Sequence, residues 1–455
     1  MDPGAILARR VFIPFFERRW GLYSPQLQHA LEQSQHDSPE EVREQQLTQM
    51  RALLAFARDS TPWYRERLSG VDVDDLRSEA DLTALPVLTK SDLRDSPEAL
   101  ISEGFDRAQM FHRRTGGSTG VPVHVWWDDL MHVFTNAATR RHDRWAGFVP
   151  GQKKAALWGD TDKTYPLRER IYKALCERTI YLDTLHMDEQ YLAGFVERAR
   201  RFGPEVLMGH AHSIYFLTRY LVDQGIDDIR FAGIISTAET LSPAERTFIE
   251  SHFGQVVFDR YGCEEVSLIA SECEAHDGLH ICAEGMLVEV VGGDEKVPGK
   301  LLVTSLINRG MPIIRYEVGD MATVASGRCP CGRGLPRLGR VFGRTSDILY
   351  APDGRRISGV SILDTFVIHV PGLQQAQIVQ DRLDHIRLRV VRSTRSSGAN
   401  RWSEESVASI GRAVADVFGP SMQFDLEYVE VIEPTPRGKY QFSICEIDDP
   451  AMGSH

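Results

Sequence analysis

The residues Thr115-Gly116-Gly117-Ser118-Thr119-Gly120, with Pro122 just beyond, are the strongest local sign of chemistry in the sequence. Glycines let backbone amides approach an anion closely, and the hydroxyls of Thr115, Ser118 and Thr119 can donate to phosphate oxygens. The stretch predicts a phosphate-gripping loop. It is not a Walker A loop, because Val121 follows Gly120 where a Lys-Ser/Thr ending is required. A flexible surface turn has the same composition, so the hexamer alone does not decide.

A second set is Cys273, His280, Cys329 and Cys331. Three soft thiolates and an imidazole suit a closed tetrahedral zinc, and four protein ligands leave no position for water activation, so such a site is structural. The Cys-x-Cys spacing is tighter than the common Cys-x₂-Cys knuckle. The alternative is reduced cysteines at a loop crossing, with Cys263 and Cys282 as further candidate ligands. Seven cysteines, an odd number, fit free thiols or a metal site better than a secreted disulfide framework.

These residues need a scaffold. Apolar positions at helical spacing (Leu47, Met50, Leu54, Ala57) predict an amphipathic helix within 36–70, stopped at Thr61-Pro62. Leu85 to Lys90 reads as a turn into another short helix. From about 150 to 310, strand-like runs (KAALWG, EVLMGH, FAGIIST, QVVFDRYG, KLLVTSL) alternate with helix-like segments, the pattern of a parallel sheet with crossover helices. The glycine- and arginine-rich stretch from Gly327 to Gly343 breaks that alternation. A smaller α+β unit follows, with strands at AQIVQ, at Ile386, Leu388 and Val390, and at FDLEYVEVI, and a helix near 403–418. The fold class expected is α/β: a large N-terminal domain (1–343) with mostly parallel sheets and helices, and a small mobile α+β C-terminal domain (344–455). SSGAN at 396–400 reads as a surface loop, and AMGSH at the end is set aside.

At 455 residues, two or three domains are expected. Hydrophobic residues at 42% and charged residues at 25% give the balance of a soluble globular protein, and a cytoplasmic enzyme is expected. A net charge of -12 offers no basic excess to neutralise a phosphate backbone, so nucleic acid is not expected as a partner. In MDPGAILARRVFIPFFERRWGLY arginines interrupt the apolar residues, and no apolar run reaches spanning length; neither a signal peptide nor a membrane partner is expected.

The order of the remaining motifs resembles the adenylate-forming superfamily over almost the whole chain. The TGGSTG loop resembles its phosphate loop, and Ser236-Thr237-Ala238-Glu239-Thr240 the segment that packs on adenine. Tyr261-Gly262-Cys263-Glu264-Glu265 is similar to its tyrosine-glycine-x-x-glutamate motif, and Tyr316-Glu317-Val318-Gly319-Asp320 to the motif whose aspartate holds the ribose hydroxyls. Gly343-Arg344-Thr345-Ser346-Asp347 resembles the hinge motif, and Pro436-Arg437-Gly438-Lys439 the C-terminal catalytic-lysine motif. The passages LLAFARDSTPWYRERL to LPVLTKSDLR, and Glu272-Cys273 to His280 with the later CPCGRGLPRLGRVFGR, are similar to phenylacetate-CoA ligases and their capsule-biosynthesis-type relatives.

The resemblance implies ATP-dependent activation of a carboxylic acid, aromatic or otherwise apolar, to an acyl-adenylate, then transfer to coenzyme A. It implies that Lys439 bridges carboxylate and phosphate, that Glu265 rather than Glu264 approaches Mg²⁺, and that Arg344 adds a cationic contact beside Asp320. Ala238, Glu239, Tyr261 and Gly262 fall on the nucleotide side. The small domain would rotate between half-reactions, and a homodimer and a structural zinc also follow by resemblance. Pocket residues are expected at strand ends near Trp158, His210 to Tyr215 and Ser236 to Thr240. Two alternatives stay open: transfer to an amine or other acceptor, and a silent nucleotide-binding scaffold. The scaffold predicts loss of Lys439, Asp320 or Arg344, and all three are present. Taken singly, Asp320, Arg344 and Lys439 are also ordinary turn or surface residues.

Overall fold

The computed structural model describes residues 2–21, 23–73, 76–115, 123–158, 166–344, 348–358, 370–392, 401–433 and 441–447. The predicted helix in 36–70 runs from Pro39 to Ser60, capped by a reciprocal Ser38/Glu41 pair. Its inner stripe, Met50, Leu53, Leu54 and Ala57, is fully buried. Pro62 does more than stop it. It opens the next helix, Pro62–Arg67, because its missing N–H and fixed φ suit a first helical position. The turn at Leu85 leads into helix Lys90–Asp95, capped by Thr89 and Asp92.

Strands β1 (Phe111–Arg114) and β2 (His124–Trp127) form a separate antiparallel hairpin. The main sheet holds β3 (Lys154–Trp158), β4 (Thr179–Asp183), β5 (Val206–His210), β6 (Gly233–Thr237), β7 (Val257–Cys263), β8 (Ser267–Glu272), β9 (Leu279–Ile281), β10 (Met286–Val291), β11 (Gly299–Ser305), β12 (Tyr316–Ala325) and β13 (Arg337–Arg344). Its order is β10-β11-β12-β13-β9-β8-β7-β6-β5-β3-β4. From β4 to β7 every pairing is parallel, with crossover helices. From β7 onward every pairing is antiparallel. The α/β expectation therefore holds, and the sheet is mixed: KLLVTSL lies in β11, on the antiparallel side, where hairpins replace crossover helices.

Beyond the main sheet, β14 (Ile348–Tyr350) pairs with β15 (Arg356–Ser358). The last sheet joins β16 (Leu373–Arg382), β17 (His385–Arg392), β18 (Gln423–Tyr428) and β19 (Ser443–Cys445) in the order β18-β17-β16-β19, with helix Glu404–Phe418. Ile386, Leu388 and Val390, read as alternating in the sequence, are all fully buried. The SSGAN loop and AMGSH lie outside the described residues.

One core fills the space between the N-terminal helices and the antiparallel half of the main sheet. A second runs from the parallel strands and their helices (Ile214, Leu217, Ile249) into the C-terminal sheet (Leu373, Ile386, Leu388). Across that junction Arg219 donates to the Leu373 carbonyl at 3.0 Å. Among the described residues no helix is long and apolar enough to cross a membrane.

Buried ion pairs lock the layers. Arg141, 1% exposed on helix Asp129–Trp145, forms a two-pronged contact with Glu284 and also donates to the Leu31 carbonyl. Arg260 on β7 pairs with Asp143 of the same helix at 2.7 Å, and Arg315, just before β12, pairs with Glu289 on β10 at 2.9 Å. Removing one partner of such a pair strands the other charge in the interior. Glu284→Ala should therefore cost about 3–5 kcal/mol, read as a lowered midpoint in urea unfolding.

Candidate functional site

The candidate residues gather where the parallel strands end and the sheet turns back. Thr115 sits at the base of the β1–β2 hairpin, buried, with its N–H on the Val123 carbonyl at 2.9 Å and its hydroxyl accepting from the Val123 N–H at 3.1 Å. It closes the stem of the predicted phosphate loop. Gly116, Gly117, Ser118, Thr119 and Gly120 lie outside the described residues.

At the end of β6, the chain passes through Ser236 and Thr237 into Ala238, whose φ of 66° is in the left-handed region that non-glycine residues rarely adopt. Such local strain persists where the surroundings fix the chain, and it clusters at binding sites. Beside it, Glu239 accepts from the His212 N–H at 3.2 Å. Ser236 is fully buried, and its hydroxyl has no hydrogen-bond partner among the described residues. At neighbouring strand ends, the Trp158 and His210 rings meet with centroids 4.6 Å apart. The expected pocket residues Trp158, His210 and Ser236 thus share one edge.

Tyr261 on β7 donates to Asp320 Oδ2 at 2.7 Å, joining two motifs that lie 59 residues apart. Burial, with the Asp320 carboxylate adding to it, pushes the Tyr261 phenol well above its ordinary value, so it remains a donor. Asp320 in turn pairs with Arg344 across the β12–β13 ladder. The fork-shaped contact expected of the Arg344 side chain falls outside what the structure describes. Gly343, at a φ of 77°, lies against Thr240: an added Cβ would come within 3.1 Å of its Oγ1. The predicted hinge motif therefore begins beside the predicted adenine segment. Thr345, Ser346 and Asp347 are outside the described residues.

Glu265 is 7% exposed and takes the Tyr316 hydroxyl on Oε1 at 2.8 Å, while its carbonyl accepts from the Trp127 indole at 3.0 Å. A tyrosine from one motif thus orients the glutamate of another. The carboxylate is an acceptor suited to a hard cation such as Mg²⁺. Lys439 lies outside the described residues. The strand just after it is fixed: Ile378 N–H donates to the Phe442 carbonyl at 2.7 Å, and the Phe442 ring meets the His212 ring edge-on at 4.1 Å.

The sequence places His212 only within the pocket span and gives no sign of Glu245. Only the fold brings helix Pro243–Phe253 against helix Ala211–Asp223, where His212 Nδ1 lies 2.5 Å from Glu245 Oε1. The two-histidine spacing of GHAH was the available signal.

Away from this edge, the donor atoms of Cys273, His280, Cys329 and Cys331 all lie within 4.8 Å of one another. Cys273 and Cys329 sulfurs are 3.6 Å apart, and Cys331 Sγ is 3.3 Å from His280 Nε2. A tetrahedral zinc with Zn–S bonds of about 2.3 Å sets its ligand atoms about 3.5–3.8 Å apart, so the donor set fits one. His280 directs Nδ1 to the Leu335 carbonyl at 3.2 Å, which leaves Nε2 toward the sulfurs. Burial pushes the His280 imidazolium down to about 4, so the ring is a neutral ligand at pH 7. Burial pushes the Cys273 thiol up to about 12 and also raises Cys329, whereas at Cys331 hydrogen bonds from the Arg333 backbone and side chain outweigh burial and lower it. Cys263 and Cys282, the alternative ligands, are outside this cluster; Cys282 sits instead under Arg141.

Comparison with known proteins shows what the whole chain is similar to. Residues 349–446 match the family model for the CapK C-terminal domain. Over 380 residues the chain is 24% identical to Protein CapK of Staphylococcus aureus, covering 81% of each. It is 28% identical over 344 residues to the phenylacetate-coenzyme A ligase of Thermus thermophilus, covering 72% of this chain and 74% of that one. A crystal structure of 2-hydroxyisobutyryl-CoA ligase in the postadenylation state, in complex with R3-HIB-AMP, superposes with a TM-score of 0.70 at 20% identity over 91% of both chains.

The His212–Glu245 pair carries a pH signature. Burial alone would lower the His212 value, but Glu245 and Glu239 outweigh it and raise the net. A raised histidine stabilises the fold fully below its unfolded value of about 6.5, and that contribution is lost as pH rises through the folded value. Urea unfolding at about pH 6 and about pH 9 should show this loss in the parent chain and a smaller loss in Glu245→Gln, where Glu239 alone remains beside His212.

Proposed function

We infer that this chain, a member of the phenylacetate-CoA ligase and CapK branch of the adenylate-forming superfamily, activates a carboxylic acid with ATP and transfers the acyl group to coenzyme A. The Tyr261–Asp320 hydrogen bond is the observation that carries the reading, because it assembles two nucleotide motifs into one edge next to Ala238 and Glu239. Curated relatives named as phenylacetate-coenzyme A ligases and the acyl-adenylate complex of the structural neighbour support it.

In this reading the acid's carboxylate attacks the α-phosphorus of ATP and pyrophosphate departs, leaving a mixed anhydride. Thr115 and the loop after it grip the departing phosphates, Asp320 accepts from the ribose hydroxyls, and Ala238, Glu239, Tyr261 and Gly262 form the adenine side. Glu265, oriented by Tyr316, would hold Mg²⁺, which neutralises phosphate oxygens. Lys439 meets the charge that develops between carboxylate and phosphate, with Arg344 as a second cation. The thiol of coenzyme A then attacks the acyl carbonyl and AMP leaves. The small domain, residues 344–455 against 1–343, turns between the steps about the motif that starts at Gly343. The match of residues 349–446 to a single family model supports that division.

The acid is aromatic or otherwise apolar in this reading, because the Trp158 and His210 rings line the strand ends where it would lie. A second reading keeps the adenylate and passes the activated group to an amine or another acceptor in place of coenzyme A. Cys273, His280, Cys329 and Cys331 would hold a structural zinc that pins β9 to the 329–331 turn, with no part in the chemistry.

Pyrophosphate release from MgATP, measured across aryl and aliphatic acids with and without coenzyme A, tests the function. Acid-dependent release should fall by roughly 10²- to 10³-fold in Lys439→Ala, with multiple turnovers requiring coenzyme A. Turnover indifferent to coenzyme A would favour the other acceptor, and no acid-dependent release would sink the reading. For the metal, elemental analysis of the purified chain should find stoichiometric zinc, lost in Cys329→Ser together with several degrees of melting temperature. A zinc-free parent chain of equal stability would refute the site.

A further inference from the structure

The helical segment from Pro3 to Trp20 carries two apolar stripes. One stripe faces inward: Ala8 and Ile13, with the half-buried Phe12 and Phe16, pack on Tyr172, Leu175 and Cys176. The other faces away from the protein. Leu7, Val11 and Phe15, four residues apart, are 48%, 49% and 63% exposed. Residues four apart on a helix stack in a row, and the wider π turn at Ala8–Phe12 lets the two rows keep opposite faces.

Exposed arginines border the outer row: Arg10, Arg18 and Arg19. The one acidic residue between Pro3 and Trp20 is Glu17, which is 3% exposed and ion-paired with Arg140. It therefore neutralises nothing on the outside. Beside this segment lies helix Leu167–Tyr172, joined to it through the Phe16–Tyr172 and Trp20–Tyr172 ring contacts; it exposes Leu167 and Ile171 together with Arg168 and Arg170. A chain of net charge -12 thus concentrates cations around apolar side chains at one place.

We propose that this face docks on an anionic lipid bilayer, with the Pro3–Trp20 segment lying in the plane of the headgroups. The apolar row enters the boundary with the acyl chains while the arginines reach the lipid phosphates. Charge selects this occupant over a second copy of the chain. A two-fold pairing would bring the same arginines of both copies face to face with Glu17 buried in each, and like charges repel. The segment lies on the bilayer and does not cross it, since arginines interrupt it and its inner stripe is already packed. In the sequence the arginines read as interruptions of a span, with no membrane partner expected; on the folded face they border the apolar row.

Sedimentation of the full-length chain with vesicles tests it, using phosphatidylcholine alone or in equal parts with phosphatidylglycerol. Binding is expected only to the anionic vesicles and should fall at least tenfold between about 50 and about 500 mM NaCl. Val11→Asp with Phe15→Asp should lower it by roughly tenfold or more, and Arg18→Gln with Arg19→Gln by roughly 25-fold, about fivefold for each arginine. Both doubly substituted chains should keep the parent's melting curve, because the altered side chains are exposed. No binding to anionic vesicles, or equal binding by the aspartate variant, overturns the proposal. So does a concentration-dependent dimer in velocity sedimentation that the aspartates break while vesicles bind nothing; that result would give the face to a second copy.

Discussion

The reversal of strand direction after β7 is the constraint on which the candidate site depends. Up to that strand, crossover helices keep all neighbours parallel and bring several strand ends to one edge. At Gly262 the chain must turn back so tightly that a Cβ would lie 2.4 Å from the Ser267 carbonyl oxygen. Only a glycine allows that approach. The antiparallel strands that follow fold back along the sheet, and β12 delivers Asp320 to Tyr261.

From that turn the remaining geometry follows. Glu265 sits inside the turn, and the strand that carries Asp320 begins with Tyr316, whose hydroxyl holds the glutamate. The pairing of β12 with β13 then sets Arg344 opposite Asp320 and places Gly343 against Thr240. Buried ion pairs, Arg260 with Asp143 and Arg141 with Glu284, fix the helix that backs this edge. They hold charge in the interior through paired hydrogen bonds, so the layers have little freedom to slide.

Among the described residues, the C-terminal sheet meets the same side of the molecule through the second core. A ring contact between Phe442 and His212 and a hydrogen bond from Arg219 to a backbone carbonyl lie at a junction where the second core passes from one sheet to the other. His212 also touches Glu239 and Glu245. His212 therefore lies between the strand after the predicted lysine motif and the predicted adenine segment.

The chemistry-bearing residue types and their order are legible in the chain before it folds. Glycines, hydroxyls, Tyr261, Asp320 and the Cys/His set announce themselves because each has few substitutes for its task. Most of the strands are legible there too, since Ile386, Leu388 and Val390 alternate with the period of a pleated, half-buried surface. Strand direction and long-range pairing emerge only on folding. A run such as KLLVTSL reads the same in a parallel or an antiparallel ladder, because both bury apolar side chains and differ in which neighbour supplies the hydrogen bonds. The same reason hid Glu245 and the two faces of the N-terminal segment: a glutamate becomes a buried partner, and an arginine a rim, only once packing has chosen which side meets water.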